Sequence, residues 1–140
     1  MTALVNTLTG FVRTDRALPD IRWAHWFLRI LLAAVIMREG FNKTPIAADD
    51  AASFGVPVLL WALAAVGELV AGFLLIAGGL IRTSFGDLVT RTGGALIALI
   101  VASVLMMVYW APPVELFLYN QLHLLLLAGG LYFAFRGNAA

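Results

Sequence analysis

The chain has 140 residues, no cysteine, a formal charge of +1, and 12% charged against 62% apolar residues, with a mean hydropathy of +0.95. Soluble domains carry about a quarter charged and about half apolar residues, so this composition points to an integral membrane protein with little room for a soluble domain. The lack of a basic cluster excludes a nucleic-acid partner, and zero cysteines exclude intrinsic thiol–disulfide chemistry, thiolate metal sites, iron–sulfur ligation and a Cys-linked lipid anchor.

Residues 1–20 read as an amphipathic cytoplasmic arm. Residues 1–12 are too polar for the apolar region of a secretory signal, so the first spanning helix is expected to act as its own insertion signal. Four apolar segments follow, at residues 21–41, 56–81, 93–110 and 116–135. Each is long enough to cross about 30 Å of hydrocarbon at about 1.5 Å per residue. The links at 43–57, 82–92 and 111–113 hold no domain. Residues 46–56, with Asp49 and Asp50, are too polar to span and predict a short interfacial helix between helices 1 and 2, a lid over the outer end. Strand-like alternation is absent, and lipid forces spanning segments to satisfy their own backbone groups. The expectation is an all-α membrane protein, a four-helix transmembrane up-down bundle over residues 21–140.

An even number of helices places both termini on one side. That side holds Arg13, Arg16, Arg22, Arg29, Arg82, Arg91 and Arg136, against Arg38 and Lys43 on the other. The asymmetry predicts N-in/C-in topology, multi-pass in a bacterial-type inner membrane. Trp23, Trp26, Trp61, Tyr109, Trp110 and Tyr119 fall near helix ends, as interfacial aromatics do.

Glu68 lies near the centre of the second segment, where a carboxylate is costly and needs a partner, a proton or a function. By helical rise, Arg29 lies about 10 Å in from the cytoplasmic side and Glu68 about 16 Å in from the outer side, so the two are expected to reach one level. Two readings stand side by side. Arg29 and Glu68 form a structural pair that fixes helix register, with Arg29 alternatively snorkelling to the head groups; or Glu68 is a proton- or quinone-linked carboxylate. At the end of the first helix, Gly40 permits close backbone approach and Lys43 can point into the bundle mouth, with Glu39 on a neighbouring face. His123 opens the fourth helix after Gln121, about 9–10 Å below the outer surface. Glu39, Lys43 and His123 thus make an outer polar pocket suited to a quinone ring, although charges at a helix end also sit naturally among head groups and a lone histidine is commonly a structural donor. A haem is not expected: His25 and His123 are the two histidines and belong to opposite ends. No metal-ligand spacing, phosphate loop or nucleophile–base pair appears. Small residues at Ala64, Gly72, Gly79, Gly93, Gly94, Gly129 and Gly130 suit close helix packing in lipid.

Arg29-Ile-Leu-Leu, Glu39-Gly40-Phe41-Asn42-Lys43, Phe54-Gly55-Val56-Pro57, Gly67-Glu68-Leu69-Val70-Ala71-Gly72 and Gly78-Gly79-Leu80-Ile81-Arg82 together resemble the DoxX-like family of small membrane proteins. The family's glycine and lysine at the end of helix 1, glutamate in helix 2 and glycine-then-arginine exit correspond to Gly40, Lys43, Glu68, Gly79 and Arg82. The likeness covers residues 29–92 by motif and the last two helices by hydropathy alone. The family usually has a small residue such as glycine after the helix-1 arginine, where Ala33 is the nearest candidate; residues 1–20 do not match. The resemblance implies a four-helix membrane protein of a family in which some members are tied to thiosulfate:quinone oxidoreduction, others to membrane redox complexes or oxidative-stress assemblies, and many have no assigned activity; the family's cysteine-pair branch does not apply. The expected function is an accessory or quinone-interacting subunit of a membrane redox complex, with a partner subunit carrying the redox centres and a homo-oligomer also open. A purely structural membrane subunit and a small-molecule or proton carrier are the alternatives.

Overall fold

The computed structural model describes residues 24–138; the arm at residues 1–20 lies outside them. Among the described residues the chain is helical throughout, without strands. The elements are α1 (Ala24–Asn42), α2 (Ala48–Ser53), α3 (Val58–Leu80), α4 (Ser84–Met107), α5 (Pro113–Tyr119) and α6 (Gln121–Arg136). Helix α1 ends where the amides of Lys43 and Thr44 turn back onto the carbonyls of Gly40 and Phe41 and Pro45 withdraws a donor. In α2, Asp49 and Asp50 fall in the first turn, where acidic side chains complement the helix dipole. Gly55, at φ 67°, closes the turn after α2, a conformation that favours glycine.

Neighbouring long helices run antiparallel. Helix α3 is flanked by α1 and α4, and α4 packs on α6, while α1 and α6 touch only slightly. Small residues set these contacts. A Cβ added at Gly94 would lie 2.7 Å from the Gly130 carbonyl, and one at Gly130 2.9 Å from the Gly94 carbonyl, so α4 and α6 meet backbone to backbone. Leu32, Ile36, Leu75, Ile97, Val101 and Phe133 fill the core around these approaches. Outside, the distribution is the reverse of a water-soluble protein: Phe27, Leu59, Phe73, Leu99 and Phe135 are each at least 65% exposed. In water that much apolar surface drives association, whereas lipid tails solvate it and leave dispersion between small residues to hold the helices together.

Helices α3 and α4, of 23 and 24 residues, are long and apolar enough to cross a membrane, and α5 with α6 makes a third crossing if the bent pair is one span. Helix α1 carries Arg29, Arg38 and Glu39 within its 19 residues, which lowers its apolar character.

Two expectations are corrected. The third helix starts at Ser84 rather than Gly93, so Asp87 and Arg91 are not in a link but in its first turns. Thr83, extended at φ −130° and ψ 169°, is its N-cap, and the link between α3 and α4 is only residues 81–83. The fourth segment is not one helix: α5 and α6 meet at 94°. Asn120, at φ −124° and ψ 34°, leaves helical geometry there. Its amide closes α5 on the Leu116 carbonyl while its own carbonyl accepts the first turn of α6 from Leu124. The Gln121 side chain adds a bond to the Leu118 carbonyl. Helix α6 alone, 16 residues, spans about 24 Å, short of the hydrocarbon thickness.

Candidate functional site

The helix-1 terminus builds a polar cluster at the α2 end of the molecule. Gly40 is the reason it can form: an added Cβ would lie 2.8 Å from the Ala65 carbonyl and 3.2 Å from Glu68 Cβ, so α1 ends directly against α3. Lys43, just past the helix, folds its stem back along this contact. Its Nζ reaches the two Glu68 carboxylate oxygens at 2.8 and 3.0 Å and the Glu39 carbonyl at 3.2 Å. The pair is secluded, with side-chain exposures of 13% for Lys43 and 5% for Glu68. Trp61 covers it, its ring 5.5 Å from Nζ, and Phe54 from the α2–α3 link stacks on Trp61 at 5.0 Å. The Trp61 indole N–H is buried without a hydrogen-bond partner among the described residues. His123 packs on Tyr109 at 4.8 Å between ring centres and lies within electrostatic reach of both Glu39 and Lys43. Of the residues expected in this pocket, the structure brings Glu39, Lys43 and His123 to one end and adds Glu68, Trp61 and Tyr109; the nearby Arg38 and Gln121 are exposed.

Arg29 and Glu68 do not meet. Arg29 faces Gly79, where an added Cβ would lie 2.9 Å from the guanidinium carbon. Glu68 is level with Gly40, eleven residues and about 16 Å up the same helix. Depth counted from helix ends had put the two at one level, but α3 extends beyond the end of α1, so equal depths along the two helices are not equal heights. Arg29 is wholly buried. Its guanidinium donates to the Leu75 carbonyl, to Thr90 Oγ1 at 3.0 Å and to Asn138 Oδ1 at 2.8 Å, and it lies 4.7 Å from the Phe133 ring centre. No carboxylate among the described residues is within ion-pair distance of it.

The sequence reading passed over Thr90 and Asn138. Asn138 is the hub of this second end: its amide donates to the Gly78 carbonyl at 2.9 Å and its Oδ1 accepts from Arg29 and Thr90. Its backbone N–H reaches Asp87 Oδ1 at 2.7 Å. The signal was the Arg136-Gly137-Asn138 stretch, a glycine just past a helix end. Gly137 takes φ 63° there. Arg91, paired with Asp87 at 2.7 Å, donates to the carbonyls of Ala134, Phe135 and Arg136 and so ties down the last turn of α6. The ion pair itself is about a third exposed and contributes little; the carbonyl bonds matter more. Asn138→Ala strips partners from Arg29 and Gly78 at once. The expected cost is about 1–3 kcal/mol, visible as a lower melting temperature and faster amide exchange in the last turn of α6.

No protein-family model, curated protein or solved structure matches the chain.

Chemically, the α2 end offers a cation, two carboxylates, an imidazole and an unpaired indole N–H around one aromatic-walled corner. That set can hold a flat polar head group by hydrogen bonds and hold a proton beside it. The other end offers buried and exposed guanidinium groups. His25 belongs with this second end, beside Arg29, and His123 with the first.

Proposed function

We propose that the chain is a multi-pass inner-membrane subunit of DoxX-like type, a four-helix up-down bundle with N-in/C-in topology and α2 at the outer interface. In this reading it serves a membrane redox complex as an accessory or quinone-interacting subunit. The observation that carries it is the convergence of Glu39, Lys43 and His123 on one apolar-walled corner beside Glu68. A quinone oxygen accepts hydrogen bonds, and His123 and the Trp61 N–H are donors at that corner, with the Lys43 cation beside them. Reduction of the ring needs electrons from the partner subunit's centres and protons at both oxygens, and Glu68 and His123 are the groups able to pass protons there. The experiment is equilibrium binding of a short-chain quinone to the purified protein. His123→Ala and Trp61→Phe each weaken binding about tenfold, the loss of one well-made hydrogen bond; unchanged binding in both variants overturns the site.

A second reading, a structural subunit that stabilises a larger assembly, is favoured by the way Lys43 engages both oxygens of Glu68. Glu68→Gln separates the two. As an internal brace, the pair loses stability and the complex falls apart; as a proton-linked site, the complex assembles and turnover is lost.

A further inference from the structure

A cavity of about 580 Å³ opens at the end opposite the Lys43–Glu68 pair, lined by His25, Arg29, Gly79, Arg82, Ser84 and Asn138 with Ile81 and Thr83 beside them. The proposed quinone corner does not use it. Its lining is cationic and hydroxylic, and no acidic side chain belongs to it. Two buried polar atoms on its wall have no hydrogen-bond partner among the described residues: Arg29 Nε and His25 Nδ1. Arg29 is fully buried, and among the described residues its positive charge is met by neutral acceptors alone. A buried cation left without a counter-charge is expensive, and an anion in the cavity would supply it. Arg82 at the rim is exposed, with no acidic partner among the described residues. The floor is the start of α4, a 24-residue helix with Asp87 in its first turn, whose N-cap Thr83 makes no side-chain cap bond; the first amides of a helix point towards such a site.

We propose that this cavity is an oxyanion site for a phosphate group, held between Arg29, Arg82 and His25 over the first turn of α4. Guanidinium groups bind phosphate oxygens in pairs, Ser84 adds a hydroxyl donor, and the helix terminus adds its partial positive charge. Gly79 on α3 makes room for Arg29 on the cavity wall, since a Cβ there would press on its guanidinium at 2.9 Å. The phosphate can belong to an anionic phospholipid, whose head group would lie at this end of the helices, or be free in solution.

The test uses the full chain in two arms. In phosphatidylcholine nanodiscs with and without phosphatidic acid, native mass spectrometry counts retained anionic lipid. In detergent, inorganic phosphate is titrated against melting temperature. The variants are Arg82→Glu and Ser84→Ala at the rim, with exposed Arg38→Glu at the other end as the control; Arg29 is left intact because its replacement disturbs the core. Lipid retention that falls about tenfold in Arg82→Glu and not in Arg38→Glu supports the site with a lipid source. A phosphate-dependent rise in melting temperature that Arg82→Glu and Ser84→Ala remove supports it with a soluble source. Equal responses in Arg82→Glu and Arg38→Glu, or no response to either probe, overturn it.

Discussion

Lys43→Ala is expected to lower the unfolding free energy by about 3–5 kcal/mol, because it strands a secluded carboxylate without its cation. Glu68 has 5% of its side chain exposed and takes both of its oxygens' bonds from Lys43 Nζ. Among the described residues no other side chain donates to Glu68, and Gly40 packs α1 closely on α3 beside it. Replacing both residues, Lys43→Met with Glu68→Leu, removes the desolvated charges together and restores most of the loss, as apolar replacements of buried ion pairs do. The double-mutant cycle, read from melting temperatures in one detergent, gives a large coupling between the positions. Additive losses would mean that the two side chains act independently. The same pair of variants separates stability from ligand binding: a Lys43→Met, Glu68→Leu protein that folds and no longer binds quinone places the pair in the site, not merely in the frame.

Gly94→Leu is expected to separate α4 from α6 and to cost at least as much as typical core overpacking, about 1–3 kcal/mol. An added Cβ already falls 2.6 Å from the Ala134 backbone nitrogen and 2.7 Å from the Gly130 carbonyl. The obstacle is main chain, so no rotamer change relieves it, and the remaining side-chain atoms have nowhere to go. The displaced α6 would draw Phe133 from the core and pull Asn138 away from Arg29, Thr90 and Gly78. Gly67→Leu is the comparison: there the near neighbour is the tip of Ile100, a flexible side chain that can move. Proteolysis and melting in detergent should show Gly94→Leu far below wild type and Gly67→Leu close to it. Equal behaviour would contradict the backbone contact between α4 and α6.

Hydropathy made the apolar stretches of α3 and α4 legible, because lipid demands long apolar helices and leaves their composition almost no freedom. Lys43 at the bundle mouth was legible too, since Gly40 just before it announces a close approach. What hydropathy does not encode is the height at which antiparallel helices meet. That height is set by Gly40 on Ala65 and Gly79 on Arg29, and without it Arg29 was assigned to Glu68 when Lys43 was the partner. The start of α4 was hidden because Asp87 and Arg91 look like link residues by polarity, although their spacing is that of an ion pair on one helix face. The bend at Asn120 was hidden for the opposite reason: Tyr119, Asn120 and Gln121 are flanked by apolar residues, and one backbone rotation breaks the helix without a proline or glycine to mark it. Asn138 was missed because its importance comes from what converges on it, not from its own neighbours in sequence.

The most direct test of the redox-subunit reading is purification of the tagged native protein in mild detergent, with mass spectrometry of its co-purifying proteins and extracted quinones. The account predicts stoichiometric redox subunits together with a bound quinone that Lys43→Met, Glu68→Leu removes. A lone oligomer carrying neither partner nor quinone would contradict it.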